Sequence, residues 1–225
     1  MQISIITLFP QIFEPLINAS IIKRAKEKNK VKFKLVDLRD FGIGKHKTVD
    51  DRPFGGGAGM ILRADVLSSA IKSVKKSKKA TVILLDPKGE TYKQETCEKF
   101  AKLDNIILVC GHYEGFDERI REQVDYEVSI GDYILSSGET AAMVLIDSIV
   151  RLVPGVLKKD EASQIESFTK IGGKRILEFP QYTRPRVFNM KKVPEVLLSG
   201  NFQDIERYRM DEAEKLTKKR RPDLK

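Results

Sequence analysis

The sequence predicts an α/β fold built on a mostly parallel sheet, followed by a small helical region. Short apolar runs alternate with amphipathic segments over residues 1–150, which is the pattern of strand–helix–strand units. Two of these runs lead into glycine-bearing loops, at residues 111–115 and 129–138. In α/β proteins such loops lie at the carboxyl ends of strands, where ligands bind. With 225 residues, the chain is long enough for one large domain or two small ones.

The individual elements follow from the spacing of apolar residues, which alternate in a half-buried strand and recur every three or four positions in a helix. Strands are predicted at residues 2–8, 31–38, 81–85 and 106–110, with a further apolar run at 126–128. Helices are predicted at residues 12–17, 21–28, 63–76, 90–103, 116–123 and 139–152. The tetrapeptide Asp86-Pro87-Lys88-Gly89 predicts a turn that closes the third strand.

The alternation of strands and helices stops after residue 156. Residues 157–178 are polar, contain glycine and show no lasting period, which predicts a linker. Residues 179–225 are predicted to form a small helical domain. Such a short unit has little core of its own, so we expect it to pack on the first domain or on a second subunit. The stripe predicted for its last helix consists of Phe202, Ile205, Tyr208, Ala213 and Leu216.

Positive charge is concentrated in the C-terminal part. From residue 170 onward there are 15 Lys and Arg against 8 Asp and Glu, a net of +7 out of +9 for the whole chain. A nearly neutral body with a basic end indicates a polyanionic partner such as nucleic acid. The alternative is that the charge serves solubility only.

Several function classes are excluded or disfavoured by what the chain lacks. Two cysteines and two histidines are too few for a Cys/His zinc site or a disulfide framework, and Cys110 is expected to be a buried apolar residue. P-loop, dinucleotide-binding and serine-hydrolase motifs do not occur. Neither a signal peptide nor an apolar run of membrane-spanning length is recognisable, so a cytoplasmic location is expected.

Residues 42–60 break every period and are the longest irregular segment of the first domain. Such segments are usually functional or disordered. Lys45, Lys47 and Arg52 are suited to phosphate contacts, whereas Phe54 and Met60 are apolar residues that the segment can bury. A functional loop is therefore favoured over a flexible linker.

Several stretches resemble one protein family. Residues 49–60, Val-Asp-Asp-Arg-Pro-Phe-Gly-Gly-Gly-Ala-Gly-Met, are similar to the signature loop of the bacterial tRNA (guanine-N1)-methyltransferases, the TrmD type of the SPOUT class. Residues 108–119 and 129–133 resemble the cofactor loops of that family. Residues 151–157, 182–185 and 196–200 resemble its later landmarks. These motifs occur in the family's order along essentially the whole chain.

The resemblance implies a fold and an activity. Residues 1–156 would form a deeply trefoil-knotted domain that binds S-adenosylmethionine, residues 157–178 a linker, and residues 179–225 a helical tRNA-binding domain. The family is a homodimer whose active site is shared between subunits. It methylates N1 of the guanosine 3′ of the anticodon, at tRNA position 37, and thereby prevents frameshifting. Neither a membrane nor DNA is an expected partner.

Matching motif by motif assigns the cofactor pocket to three segments. One feature departs from the family, because Ser137-Gly138 stands where the family has Gly-Gly. The predicted cofactor-binding residues are Leu84, Leu85, Pro87, Gly111, Tyr113, Glu114, Gly115, Ser129, Ile130, Gly131, Asp132, Tyr133, Ile134, Leu135 and Gly138. The predicted RNA-binding residues are His46, Asp50, Arg52, Ser163, Arg184, Lys218, Lys219 and Arg220.

The reaction needs a base, because N1 of guanine carries a proton, and a cation to stabilise charge on O6. The resemblance gives the cation as Arg151. It gives the base as Glu166, where the family usually has aspartate, in a linker that is one residue shorter. Asp160 and Glu161 are the neighbouring alternatives. Magnesium is considered as an additional cofactor, although no metal-ligand cluster stands out and no metal-binding residue is predicted.

Two other functions stay open from the residues alone. A SPOUT enzyme that methylates a ribose 2′-hydroxyl would share the cofactor loops but would not need the loop at residues 50–60. A non-enzymatic RNA-binding protein would need only the basic C-terminal part. The nature of the methylated atom separates the first alternative, and binding of S-adenosylmethionine in the absence of RNA separates the second.

Overall fold

Five parallel strands form the central sheet in this computed structural model, which describes residues 1–75, 79–157 and 166–224. The chain divides into two units, Met1–Lys158 and Lys159–Lys225. The strands of the first unit are β1 (Gln2–Thr7), β2 (Lys32–Asp37), β3 (Asp50–Asp51), β4 (Ile61–Leu62), β5 (Thr81–Thr91), β6 (Asn105–Cys110) and β7 (Tyr126–Ser129). Its helices are α1 (Glu14–Ile17), α2 (Ser20–Glu27), α3 (Ala64–Val74), α4 (Gln94–Phe100) and α5 (Gly138–Val150), with 3-10 helices at Pro10–Phe13, Leu38–Phe41 and Glu118–Gln123.

The strand order is β2-β1-β6-β5-β7, and every pair in this sheet is parallel. The predicted α/β class with a mostly parallel sheet is therefore confirmed. The short strands β3 and β4 pair separately and antiparallel within the irregular segment. Because all five strands of the main sheet point the same way, their carboxyl ends lie along one edge.

Both faces of the sheet are covered by apolar side chains. In β5, Ile83 and Leu85 belong to a cluster with α2, α4 and α5, whereas Val82 and Leu84 belong to a cluster with α3. Successive side chains of a strand point to opposite faces, so the two clusters lie on the two sides of the sheet. The continuous apolar runs of the sequence are the pattern expected of strands buried on both faces.

The turn predicted at residues 86–89 is a bulge inside a longer strand. β5 continues to Thr91, because Glu90 and Thr91 resume pairing with β7 after the irregularity. The helix predicted from residue 90 therefore begins only at Gln94. The helix predicted at residues 116–123 is a 3-10 helix whose first turn is capped by Asp117, which accepts a hydrogen bond from the Arg119 amide at 3.0 Å.

The second unit consists of small elements. These are β8 (Thr169–Ile171), β9 (Lys174–Ile176), β10 (Val187–Phe188), β11 (Lys191–Lys192), a 3-10 helix at Glu195–Leu198 and α6 (Phe202–Arg220). β8 and β9 form a hairpin in the segment that showed no period. Its turn is Gly172-Gly173, with φ of +56° and +85°, as the tightest hairpin turns require.

The last helix begins where Asn201 caps it by accepting a hydrogen bond from the Gln203 amide at 3.2 Å. Ala213 is buried, as the predicted stripe requires, and Thr217 beside it is buried as well. Phe202 is 82% exposed, so its place in the stripe was wrong. It is the first residue of α6, where no further turn of helix lies beside it.

Candidate functional site

A cavity of about 410 Å³ lies at the carboxyl ends of β5, β6 and β7, next to the start of α5. Its size is that of ordinary small-molecule sites. The residues that line it are Leu85, Asp86, Pro87, Lys88, Gly111, His112, Tyr113, Glu114, Gly115, Phe116, Val128, Ser129, Ile130, Gly131, Tyr133, Ile134, Leu135, Ser136, Ser137, Gly138 and Ala141.

The two glycine-bearing loops meet at the back of the cavity. The Gly138 amide donates a hydrogen bond to the Gly111 carbonyl at 2.7 Å. A Cβ atom on Gly138 would lie 2.5 Å from the Gly111 nitrogen, and one on Gly111 would lie 2.9 Å from the Phe116 ring. A side chain at Gly138 would therefore push the two loops apart, and one at Gly111 would displace the Phe116 ring.

The loop after β7 is folded tightly on itself. The Tyr133 amide donates to the Gly131 carbonyl at 2.9 Å, and the Ser129 hydroxyl donates to the same carbonyl at 3.1 Å. Gly131 has a φ of +151°, which favours glycine. Ile134 and Leu135 follow as exposed apolar residues on the cavity rim.

The irregular segment is fastened to the same cavity. The Glu114 amide donates to the Met60 carbonyl, and the Leu62 amide donates to the Gly115 carbonyl, both at 2.9 Å. The Glu114 side chain passes so close to Gly59 that a Cβ there would lie 2.4 Å from its Cγ atom. Residues 59–62 therefore form part of the cavity's surroundings. Phe54, expected to be buried, is fully exposed because the surrounding glycines offer it no packing partner.

Nearly all the predicted cofactor-binding residues line the cavity. The exceptions are Leu84, which is completely buried in the core on the other face of β5, and Asp132, which is an exposed residue of the tight loop. The lining residues that sequence reasoning missed lie inside or beside the same motifs. They are Asp86, Lys88, His112, Phe116, Val128, Ser136, Ser137 and Ala141.

A buried carboxylate was also missed. Glu139, in the first turn of α5, is 1% exposed, and its Oε1 atom accepts a hydrogen bond from the Thr7 hydroxyl at 2.5 Å. Its Oε2 atom has no hydrogen-bond partner among the described residues. The contact ties the end of β1 to the start of α5, directly after Gly138. The sequence signal was a single glutamate ahead of an apolar helix, which is ambiguous on its own.

The two predicted catalytic residues belong to different units. Arg151 follows α5 as its C-terminal cap residue in the first unit. Glu166 lies in the second unit, where its amide donates to the Thr169 hydroxyl at 3.1 Å and its carbonyl accepts from the Thr169 amide at 3.0 Å. Glu166 also lines a cavity of about 110 Å³ that includes Phe179 and Arg209. The alternatives Asp160 and Glu161 lie outside the described residues.

The predicted RNA-binding residues are distributed over both units. His46 and Arg52 are exposed in the irregular segment, and Asp50 pairs with Leu62 in the β3–β4 ladder. Arg184 is exposed in the second unit. Ser163 lies outside the described residues. The remaining three are exposed in the last turn of α6: Lys218, Lys219 and Arg220.

Two further features of the described residues concern metals and membranes. Among these residues, no group of three or more His, Cys, Asp or Glu side chains is placed to hold a metal ion. Within the same ranges, none of the helices has both the length and the apolar character needed to cross a bilayer. Cys97 and Cys110 are both buried and free, which confirms the expectation for Cys110.

Comparison with known proteins gives one consistent family. The family model described as tRNA (Guanine-1)-methyltransferase TrmD matches residues 1–225. A protein of Anoxybacillus flavithermus is 52% identical over 100% of this chain and 91% of its own length. Proteins of Clostridium botulinum and Bacillus pumilus are 49% and 50% identical over 100% of this chain and 92% and 91% of theirs. All three relatives are named tRNA (guanine-N(1)-)-methyltransferase.

The match over the full chain and the level of identity agree with the motifs that surround the cavity. The chain belongs to the tRNA (guanine-1)-methyltransferase TrmD family.

Proposed function

We propose that the protein transfers the methyl group of S-adenosylmethionine to N1 of the guanosine 3′ of the anticodon, at tRNA position 37, in the cytoplasm. The observation that carries this proposal is the cavity formed by the two motif loops at the carboxyl ends of parallel strands. The family and the names of its relatives support the chemistry. The modification would prevent frameshifting during translation.

The cavity suits S-adenosylmethionine in size and lining. Gly111 and Gly138 line it with main chain only, and the hydrogen bond between their backbones holds this part of the wall together. Backbone amides and carbonyls of this kind can read the edge of an adenine without special side chains. The proposed binding residues are the lining members predicted from the motifs, and S-adenosylmethionine when bound supplies an electrophilic methyl group.

The acceptor must lose a proton before it can take that group. We assign Glu166 as the base that accepts the N1 proton of guanine and Arg151 as the cation that stabilises negative charge on O6. The guanine must leave its stack to reach the cavity, as in other enzymes that modify a base. The irregular segment, fastened to the cavity at Met60 and Leu62, is assigned to the tRNA through His46, Asp50 and Arg52.

The remaining parts of the proposal concern architecture. Residues 1–156 are proposed to form a trefoil-knotted domain and residues 179–225 a tRNA-binding domain, joined by a linker over 157–178 that contains the β8–β9 hairpin. A homodimer is proposed because large apolar side chains are exposed on the cavity rim, among them Tyr113, Tyr133 and Ile134. The basic end of α6, together with Ser163 and Arg184, is proposed to grip the tRNA phosphates, and no DNA is expected to bind.

The deciding experiment incubates the protein with methyl-labelled S-adenosylmethionine and a tRNA transcript that carries guanosine 3′ of the anticodon. We expect one labelled nucleoside, N1-methylguanosine. A matched transcript with adenosine at that position should take up no label. A 2′-O-methylated product or an unlabelled tRNA would refute the proposal, and repeating the assay with excess chelator tests for dependence on magnesium.

A further inference from the structure

The wall of the cavity formed by β5 is irregular where it meets the ligand space. Leu85 and Glu90 both lie opposite Val128 of β7, so residues 86–89 leave the ladder between them. Three of these residues, Asp86, Pro87 and Lys88, line the cavity. A bulge loses the ladder hydrogen bonds that would fix its position. Other contacts must therefore hold this wall in place.

Asp86 supplies one of these contacts within the bulge and one outside it. Its Oδ1 atom accepts a hydrogen bond from the Lys88 amide at 2.9 Å. Its Oδ2 atom accepts one from Nη2 of Arg121 at 2.7 Å. The Asp86 side chain is only 8% exposed, and a carboxylate so far from water requires a charged or hydrogen-bonded partner.

Arg121 connects this carboxylate to two others. Its Nε atom pairs with Glu118 at 2.9 Å in the 3-10 helix, and its Nη1 atom pairs with Glu127 on β7. The Arg121 side chain is 14% exposed. A planar guanidinium presents its donors in a fixed fork, so one side chain sets the distances among three carboxylates. Arg121 thus connects the bulge, through Asp86, to Glu127 of β7.

The backbone also leaves little freedom at the other end of the bulge. A Cβ atom on Gly89 would lie 2.4 Å from the Glu127 carbonyl carbon, so the end of the bulge already touches β7. Arg121 and Gly89 together hold residues 86–89 at both ends. Arg121 itself is not among the residues that line the cavity.

We propose that Arg121 is a positioning residue of the S-adenosylmethionine site: through Asp86 it holds Pro87 and Lys88 in the place that the bound molecule requires. This inference rests on the proposed function. A residue that only stabilises the fold would not affect the site in this way. If Arg121 positions the bulge, the affinity for S-adenosylmethionine depends on the fork geometry of its guanidinium and not only on its positive charge.

The test uses Arg121→Lys, which keeps the charge beside the three carboxylates but removes the fork. Arg24→Gln is the control, since Arg24 is an exposed arginine of the first unit that lies on α2 and outside the cofactor loops. We would measure KM for S-adenosylmethionine, kcat, the Kd of S-adenosylhomocysteine by calorimetry, and the melting temperature. Arg121→Gln is included for comparison but leaves the buried Asp86 carboxylate without its cation, so its folding must be checked.

We expect Arg121→Lys to raise KM and Kd about tenfold or more, as misplaced binding groups do, with kcat at saturation and the melting temperature nearly unchanged. Arg24→Gln should leave all four quantities at the wild-type values. Wild-type affinity in Arg121→Lys, or an equal loss in Arg24→Gln, would overturn the inference alone. A wild-type protein that binds no S-adenosylhomocysteine would overturn the proposed function as well.

Discussion

The two units of the chain differ sharply in how many side chains they bury. The first unit has two apolar clusters, one on each face of the sheet, that together include side chains from every strand of the main sheet. In the second unit, only Ala213 and Thr217 are buried among the described residues. Large apolar side chains are exposed there instead, including Phe188, Met190 and Phe202.

The difference indicates that the units do different work. A unit with its own core can hold a precise cavity, because closely packed side chains leave little room for movement. A unit with little core depends on contacts with something else for much of its order. The first unit is therefore suited to binding a small molecule, and the second to adapting to a large partner such as tRNA. Substitutions in each unit test this difference in function.

The largest effect is expected at Glu166, the proposed base in the second unit. Glu166→Gln should lower methyl transfer by about 10²- to 10⁴-fold, because the amide cannot accept the N1 proton. The affinity for S-adenosylhomocysteine should stay at the wild-type value, since the cavity of about 410 Å³ is lined by residues of the first unit. Single-turnover kinetics and calorimetry measure the two quantities.

A matched control for this substitution is Glu206→Gln, because Glu206 lines the same small cavity in the second unit. It should leave the rate of methyl transfer unchanged. Near wild-type turnover in Glu166→Gln would remove Glu166 from the mechanism. The base would then have to be another residue, and the proposed difference in function between the two units would lose this support.

A smaller effect is expected at the basic end of α6. Replacing Lys219 and Arg220 by alanine should weaken tRNA binding and lower the slope of log Kd against log salt by roughly two, one for each lost phosphate contact. The same replacement of Lys23 and Arg24, which are exposed on α2 in the first unit, is the control. Filter binding across a salt series measures the slope. Equal effects of the two double variants would show that the charge acts without regard to its place.

Some parts of the fold can be predicted from local patterns in the sequence. The parallel sheet was predictable because buried strands are continuous apolar runs between helical patterns, as at residues 106–110. The cavity was predictable because its two glycine loops are single segments that follow strands directly. Leu84 was predicted to bind the cofactor, but it lies on the face of β5 opposite Leu85. The alternation of side chains along a strand already indicates this.

Other features depend on contacts that a local pattern does not contain. The residues Asp-Pro-Lys-Gly signal a turn, but only pairing with β7, far along the chain, makes this turn a bulge. The pair Gly172-Gly173 is typical of a hairpin turn and could have predicted the hairpin at residues 169–176. It was instead interpreted as part of a linker. Glu139 was missed because its partner, Thr7, is at the other end of the first unit's sequence.

That buried pair gives a test of the first unit's own stability. Thr7→Val keeps the shape of the side chain but removes its hydroxyl, which donates to the buried Glu139 carboxylate and accepts a hydrogen bond from the Phe9 amide at 2.9 Å. We expect a loss of about 1–3 kcal/mol in the free energy of unfolding, measured with urea. Thr140→Val, one residue after Glu139 and exposed, should change it by less than about 0.5 kcal/mol. Equal stability of the two variants would contradict the assignment.

The smallest effect concerns pH and again belongs to the first unit. Burial raises the pKa of the Cys97 thiol, and burial together with the charge of Glu139 raises the pKa of the Cys110 thiol well above its ordinary value of 9.0. Both thiols thus stay protonated in the folded chain at a pH where the unfolded chain ionises them. Their contribution to stability is complete below the pKa of the unfolded chain and is lost as the pH rises through the folded-state pKa.

We therefore expect the free energy of unfolding to fall above pH 9 by at most about 1.4 kcal/mol per pH unit for each thiol. Urea unfolding at a series of pH values measures this slope in the wild type and in the Cys97→Ala, Cys110→Ala double variant. The variant is less stable at every pH because it lacks two buried sulfur atoms, so only the slopes are compared. Its slope above pH 9 should be shallower, since alanine carries no proton to lose. Parallel curves for the two proteins would mean that other groups of the first unit account for the whole pH dependence, such as the half-buried Tyr92, whose pKa is also raised by burial.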